Sequence, residues 1–293
     1  MNKQGNKTNP AGGIEWTHIF GPGTGYTANP VRGCQHACRW RMPDGKLAIC
    51  YAEAVAERFP GKHYARGFGV VSFDPGELAA IQKLKTPAGI FIDSMSDLFA
   101  QSVSDEWLQA VMDTIRDCPQ HQFFTLTKNP TKLALLEQRG FKWPSNLLLG
   151  VSMPPTFMFG KELTLAQQRA WFDKALDCLT RCDARVRWVS LEPLSWDCSD
   201  ILAKYKDKLH WAVIGAASDG NRTFQPDIKT LNNTLTVLDG LPVFFKGNLA
   251  DSIFEHHACR TGDCPHDKQT ECDAALLADG VADSDWRQEF PKH

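Results

Sequence analysis

Short apolar runs that alternate with longer amphipathic segments constrain the fold of this chain most strongly. Six runs, each bounded by polar residues, are strand candidates: residues 89–93, 123–127, 147–152, 186–191, 211–215 and 243–245. Strands that are apolar throughout are buried on both faces, as in a parallel sheet. Strand, helix, strand repeated along the chain therefore predicts an α/β fold with a full or partial parallel (β/α) barrel.

The helices between these runs have recognisable starts. Asp74 is followed by Pro75 and Glu77, which is the pattern of an N-cap with proline at the first helical position. Ser104 precedes a segment whose apolar residues fall on one helical face. Periodicity predicts further helices over about residues 164–182, 198–207 and 227–239. A short helix is expected after Cys50.

Composition limits the class of protein. The chain has 293 residues, of which 43% are hydrophobic, so it can bury a sizeable core. We expect a barrel with a cysteine loop over residues 1–250 and a Cys/His-containing extension over 251–293. A net charge of −2 argues against a nucleic-acid-binding field over the whole molecule. The polar N-terminus and the lack of long apolar runs predict a cytoplasmic protein without a membrane partner.

Three cysteines form the most distinctive motif. Cys34, Cys38 and Cys50 are spaced Cys-x3-Cys-x11-Cys, after a strand-like run at residues 29–33 that ends in glycine. Three thiolates on a cubane iron-sulfur cluster leave one iron free to bind another molecule. The longer gap contains Pro43-Asp44-Gly45, a turn sequence that would return Cys50 towards the other two.

Other interpretations of the cysteines remain open. His36 would complete a Cys3His zinc site, and with it the chain would be a zinc-stabilised binding or adaptor protein. Buried inert thiols are a further alternative, and the thiols at Cys118, Cys178, Cys182 and Cys198 are interpreted in this way. Arg32, Arg39, Arg41 and Lys46 outnumber Asp44 in the loop, which fits either phosphate attraction or a solvated loop.

A second group of thiols follows the last strand candidate. Cys259, Cys264 and Cys272 lie among three histidines, so this region is a candidate for a second metal, either zinc or an auxiliary cluster. A polar tail without metal is an equal alternative.

Polar residues follow the strand candidates at the positions where barrel enzymes place their working residues. Lys128, Glu192 and Lys246 are candidate catalytic residues, because charges at a barrel mouth need a partner or a ligand. Any one of them alone fits a helix cap or a solvated residue. A hydrolase that holds a divalent metal with Asp93, Asp97 and Glu192 is a weaker hypothesis, since it gives the three thiols no role.

Several segments resemble a known family. They are residues 14–17, 29–34, 50–53, 93–99, 126–130, 150–152, 192–194 and 244–246. Together they are similar to the phage-associated three-Cys-motif proteins of unknown function, which are related to the radical S-adenosylmethionine (SAM) superfamily. The superfamily spacing is Cys-x3-Cys-x2-Cys, with an aromatic residue before the last cysteine where this chain has Ile49.

The resemblance implies a barrel of the radical SAM type and a radical SAM activity. It implies a [4Fe-4S] cluster on Cys34, Cys38 and Cys50, with SAM on the open iron. Ser94, Ser96 and Asp97 would contact the methionyl end of SAM, although the usual Gly-Gly-Glu is absent, and Ser152 and Glu192 its ribose or amino group. The implied partners are an unidentified small-molecule or nucleotide substrate, such as a nucleic-acid base, and an electron donor such as flavodoxin or ferredoxin. A protein partner is left open.

Overall fold

The computed structural model of the protein describes residues 1–218, 222–249 and 289–291. Its strands are β1 (Asn2–Lys3), β2 (Gly25–Ala28), β3 (Val31–Arg32), β4 (Arg39–Arg41), β5 (Leu47–Ile49), β6 (Ser72–Phe73), β7 (Gly89–Ile92), β8 (Gln122–Thr127), β9 (Leu147–Ser152), β10 (Phe157–Met158), β11 (Lys161–Glu162), β12 (Val186–Leu191), β13 (Trp211–Ile214), β14 (Ala217–Ser218), β15 (Thr223–Phe224) and β16 (Val243–Phe245). Its α-helices are α1 (Tyr51–Arg58), α2 (Gly61–Tyr64), α3 (Pro75–Lys83), α4 (Asp105–Asp117), α5 (Pro130–Gln138), α6 (Leu165–Arg181), α7 (Ser199–Tyr205) and α8 (Ile228–Val237). Short 3₁₀ helices cover Glu15–Thr17, Lys206–Lys208 and Gly247–Leu249.

An eight-stranded sheet forms the centre of the fold. Its strand order is β1-β2-β7-β8-β9-β12-β13-β16. The strands from β2 to β16 pair in parallel, and only β1 is antiparallel to its neighbour. Among the pairings of the described strands, β16 does not join β1 or β2. The fold is therefore α/β with a partial parallel barrel, as predicted.

Two hydrophobic cores lie on opposite faces of this sheet. The larger core packs the strands against the helices and includes Phe123 and Phe245 from the sheet and Phe172 from α6. The second core is aromatic and contains Trp16, Trp188 and other side chains that alternate with the first set along the strands. The ring of Trp16 lies 5.1 Å from that of Trp188. The 3₁₀ helix at Glu15–Thr17 therefore covers the face of the sheet that the outer helices leave open.

Most predicted elements are present with small changes at their ends. Strands β9 and β12 have the predicted bounds, and Asp74 and Ser104 accept hydrogen bonds from the backbone at the starts of α3 and α4. The first barrel strand was not predicted, because β2 is short and has no apolar run. The strand-like run at residues 29–33 instead contributes β3, which pairs with β6 in a separate two-stranded sheet.

The proposed second region is mostly outside the described residues. Cys259, Cys264 and Cys272 lie there, as does the candidate second metal site that they would form. Residues 289–291 are described, and the Glu289 carbonyl oxygen accepts a hydrogen bond from the indole of Trp211 at 2.7 Å. In the described ranges, no helix has both the length and the apolar character needed to cross a bilayer.

Candidate functional site

A β-hairpin explains how the long cysteine spacing closes. The eleven residues between Cys38 and Cys50 form the antiparallel strands β4 and β5, in which Arg39 faces Ile49. The backbone N–H of Cys50 donates to the Cys38 carbonyl oxygen at 3.2 Å. Gly45 has a φ of +82° in the turn between the strands, which suits glycine because it has no Cβ. The hairpin therefore returns Cys50 to the side of Cys38.

The three cysteines line one cavity of about 130 Å³. The same cavity is lined by His36 of the cysteine loop and by side chains that follow three neighbouring sheet strands. Ser94, Ser96 and Asp97 follow β7, Lys128 follows β8, and Ser152 ends β9. The carboxyl ends of these parallel strands and the cysteine loop thus meet at one edge of the sheet, which is where α/β folds bind ligands.

Two thiols of this cavity, those of Cys34 and Cys38, favour the protonated state when no cation is present. Burial raises the pKa of Cys34 and of Cys38 to about 12. The negative charge of Asp97 adds to the shift at Cys34, whereas the Lys128 ammonium opposes it at Cys38. A bound metal supplies the positive charge that deprotonates such thiols.

A site for a single metal ion is not formed here. In the part of the chain that the structure describes, no three His, Cys, Asp or Glu side chains are grouped closely enough to hold one ion. Neither the Cys3His zinc site with His36 nor the divalent-metal site with Asp93, Asp97 and Glu192 is therefore assembled. In a cubane each thiolate binds a different iron, so three thiols around a shared cavity fit the donor set of a cluster.

Asp97 connects the cysteine loop to the sheet. Its Oδ1 accepts from the backbone N–H of Phe99 at 3.0 Å, and its Oδ2 accepts from the Thr127 hydroxyl at 3.0 Å and the Lys128 N–H at 2.9 Å. His36 Nδ1 lies 3.6 Å from the same Oδ2. Burial lowers the pKa of the His36 imidazole, despite the nearby carboxylate. Asp97 is thus held by several donors at the centre of the site.

The segment after β7 is also fixed to the loop before the cysteines. Asn29 Oδ1 accepts from the Ser94 hydroxyl at 3.1 Å and from the Met95 N–H at 2.8 Å. The Gly33 N–H donates to the Met95 carbonyl oxygen at 3.1 Å. By contrast, the buried Ser96 hydroxyl has no hydrogen-bond partner among the described residues, so it is available to a ligand in the cavity.

Glu192 and Lys246 lie in a neighbouring, larger cavity rather than with Lys128. Lys246 Nζ is 3.1 Å from Glu192 Oε1, and the Ser190 hydroxyl donates to Glu192 Oε2 at 3.0 Å. The Glu192 carboxylate raises the pKa of Lys246. The structure therefore divides the predicted charged residues between two cavities, and Glu192 pairs with Lys246.

Acidic partners neutralise the arginines of the cysteine loop. Arg32 lies 3.0 Å from Glu77, and Arg39 Nη2 donates to Glu53 at 2.9 Å. Arg41 pairs with Glu162 at 2.8 Å. These three side chains therefore do not form an uncompensated patch for phosphate.

Sequence reasoning missed two residues beside the cysteines. Trp40 on β4 lies under the ammonium of Lys128, whose Nζ is 5.7 Å from the ring centroid. Tyr51, which follows Cys50, is 64% exposed although it is large and aromatic. The sequence signal that could have identified Tyr51 is an aromatic residue directly after the last cysteine of the motif, whereas the position of Trp40 depends on the hairpin.

Comparison with known proteins assigns the chain to a family. Residues 11–250 match the family model described as "Protein of unknown function (DUF5131)", so the chain belongs to this family. No curated protein matches the chain.

Several similar solved structures are spore photoproduct lyases. One is a double mutant with bound AdoMet and dinucleoside spore photoproduct, with 9% identity, a TM-score of 0.39, and coverage of 73% of this chain and 61% of that chain. Another is a complex with dinucleoside spore photoproduct, with 11% identity, a TM-score of 0.39, and coverage of 72% and 60%. The chain thus matches three fifths of the length of these lyases.

Proposed function

We propose that this member of the family is a radical SAM enzyme that holds a [4Fe-4S] cluster on Cys34, Cys38 and Cys50. The observation that carries the proposal is the shared cavity, in which three thiols face polar side chains from the ends of three parallel strands. Three protein thiols leave one iron of a cubane without a protein ligand. We also propose that the chain is related to the phage-associated three-Cys-motif proteins.

The bound cofactors would supply radical chemistry, in which reductive cleavage of SAM gives methionine and a 5′-deoxyadenosyl radical that removes hydrogen from a substrate. The chain's own residues bind, orient and shield. The hairpin of β4 and β5 holds Cys38 beside Cys50, and the hydrogen bond between their backbones fixes that arrangement. The ammonium of Lys128 favours negative charge at Cys38, since it opposes the rise in the thiol pKa that burial causes.

We assign the polar residues different tasks. Ser94, Ser96 and Ser152 line the cysteine cavity and would contact SAM. The Ser96 hydroxyl has no hydrogen-bond partner in the described part of the chain, which leaves it for this purpose. Asp97 would act as a positioning residue, because its carboxylate already accepts three hydrogen bonds within the protein. Glu192 and Lys246 would lie beside the substrate. The electron would come from an external donor such as flavodoxin or ferredoxin.

Cleavage of SAM tests this function directly. Protein reconstituted anaerobically with iron and sulfide is mixed with SAM and dithionite, and 5′-deoxyadenosine is measured by chromatography and mass spectrometry. We expect product from the wild type and from Cys118→Ala, which changes a buried thiol at the end of α4. We expect none from Cys50→Ala. Equal product from Cys50→Ala, or none from fully loaded wild type, would contradict the proposal.

A further inference from the structure

The larger cavity beside the cysteines has a volume of about 520 Å³, within the usual range of small-molecule sites. It lies between the β4–β5 hairpin and the ends of β12, β13 and β16, and its lining includes Trp40, Ile49, Tyr51, Glu192 and Lys246. We propose that this cavity binds the substrate through a flat, uncharged ring that carries a lactam, an N–H next to a C=O. The inference rests on the proposed radical SAM function and adds the substrate class.

The position of the cavity suits a substrate of the cysteine site. Ile49 and Tyr51 line the larger cavity, while Cys50 between them lines the cysteine cavity. Trp40 lines the larger cavity, and its ring centroid lies 5.7 Å from Nζ of Lys128, which lines the other one. A molecule in the larger cavity would therefore lie next to the residues that hold the cluster.

The charged pair at this cavity selects for an uncharged ligand. Glu192 Oε1 and Lys246 Nζ are 3.1 Å apart, and the two side chains together carry no net charge. An anionic group would be repelled by Glu192 and a cationic group by Lys246, and either would leave a net charge in a partly buried site. A lactam avoids this cost, because its N–H donates to the carboxylate while its C=O accepts from the ammonium.

The wall behind the pair is preformed. Asn248 donates to the Ala216 carbonyl oxygen at 2.9 Å and accepts from the Ala216 N–H at 3.3 Å. Gly215 leaves space for the Glu192 and Lys246 side chains, since a Cβ at this position would lie 3.0 Å from Lys246 Cδ and 3.4 Å from Glu192 Cγ. The donor and acceptor are thus held side by side before a ligand arrives, which lowers the cost of binding.

The mouth of the cavity is apolar and exposed. Leu47 is 45% exposed, Ile49 38% and Tyr51 64%, and all three line the cavity. Exposed apolar groups around a polar pair are typical of a binding site. A flat ring would cover them, and an aromatic face such as that of Tyr51 favours stacking.

Fluorine NMR with 5-fluorouracil as the ligand tests the inference. The reconstituted protein is titrated under anaerobic conditions, and broadening of the fluorine signal gives the affinity. The matched control ligand is 5-fluoro-1,3-dimethyluracil, which keeps the ring and the carbonyls but has no N–H. We expect the wild type to bind 5-fluorouracil at least about tenfold more tightly than the dimethyl compound, since a buried acceptor would lose its partner.

Two variants test whether Lys246 and Tyr51 contribute to the binding of 5-fluorouracil. Lys246→Met should weaken 5-fluorouracil binding by about tenfold or more, because it removes a charged donor. Tyr51→Ala changes an exposed side chain, so its fold should be kept while binding weakens. Glu106→Gln, on the surface of α4, is the control that should bind as the wild type does.

Three results would overturn the inference: no binding by the wild type, equal binding of the dimethyl compound, or displacement of 5-fluorouracil by SAM. The last result would assign the cavity to SAM itself. Failure of the proposed function has a different signature, because it would leave 5-fluorouracil binding intact in a protein that does not cleave SAM.

Discussion

Removal of the Asp97 carboxylate should destabilise the edge of the sheet that carries the cysteine loop. The carboxylate accepts from the Phe99 N–H, the Thr127 hydroxyl and the Lys128 N–H, and Asp97 is 5% exposed. Each buried donor left without an acceptor costs about 1–3 kcal/mol. Asp97→Asn keeps one acceptor oxygen for the two donors at Oδ2 and leaves one donor unpaired, so it should cost about 1–3 kcal/mol.

Asp97→Ala leaves the Phe99 and Lys128 backbone N–H groups without an acceptor, so it should cost roughly twice as much, about 2–6 kcal/mol. The Thr127 hydroxyl adds little to this cost, because it is free to rotate towards another acceptor. The assay is urea unfolding followed by circular dichroism, with the slope of the transition checked against wild type. Asp113→Asn is the matched control. Its carboxylate is 55% exposed, so the change should be below about 0.5 kcal/mol.

The order of the three variants is the decisive result. We expect Asp97→Ala to be less stable than Asp97→Asn, and Asp97→Asn to be less stable than Asp113→Asn. Both Asp97 variants should also take up less iron on reconstitution, because the carboxylate holds the strand end that faces His36. Asp97 variants as stable as the Asp113 control would refute the reasoning.

Three further predictions follow from single residues. Burial raises the pKa of the Asp93 carboxyl well above its usual range. The stability that this group contributes is therefore present below about pH 4 and is lost as the pH rises towards the folded pKa. In urea titrations, Asp93→Asn should lose less stability than wild type between ~pH 5 and ~pH 8, and equal losses in the two proteins would contradict this. Gly33 has a φ of +85°, and a Cβ added there would lie 2.4 Å and 2.7 Å from two carbonyl oxygens, whereas a Cβ added at Gly69 would have no atom within 4 Å. Iron uptake should therefore fall in Gly33→Ala but not in Gly69→Ala. Equal uptake by both variants would contradict this. Burial raises the pKa of Cys182 and of Cys198 to about 12. After iodoacetamide treatment of the native protein at ~pH 7.5, mass spectrometry should therefore find both thiols unmodified. Rapid labelling of either thiol would show that it is accessible to solvent.

The parallel sheet could be predicted because its strands carry their burial in the local sequence. Strands β9 and β12 are almost continuously apolar and lie in the centre of the sheet, so their observed bounds match the predicted ones. Strand β2 lies between β1 and β7 in the same sheet, but its four residues, Gly-Tyr-Thr-Ala, give no apolar run. Its assignment depends on pairing with β7, a contact over more than sixty residues of chain.

The candidate site was predictable only in part for the same reason. The turn at Pro43-Asp44-Gly45 was visible in the sequence, and it lies at the tip of the hairpin between Cys38 and Cys50. The separation of Lys128 from Lys246 was not visible, because each residue follows a different strand and the hairpin determines which cavity it lines. The role of Asp97 depends on donors from two other segments, so local sequence could not reveal it.

Metal analysis of anaerobically reconstituted protein shows whether Cys34, Cys38 and Cys50 hold an iron-sulfur cluster. We expect about four irons per chain for one cubane, with an electron paramagnetic resonance signal from the reduced cluster that changes when SAM is added. Cys34→Ala, Cys38→Ala and Cys50→Ala should each lose that SAM-sensitive signal, while Cys118→Ala should keep it. One zinc and no iron per chain, or a SAM-sensitive signal that persists in Cys50→Ala, would contradict the account.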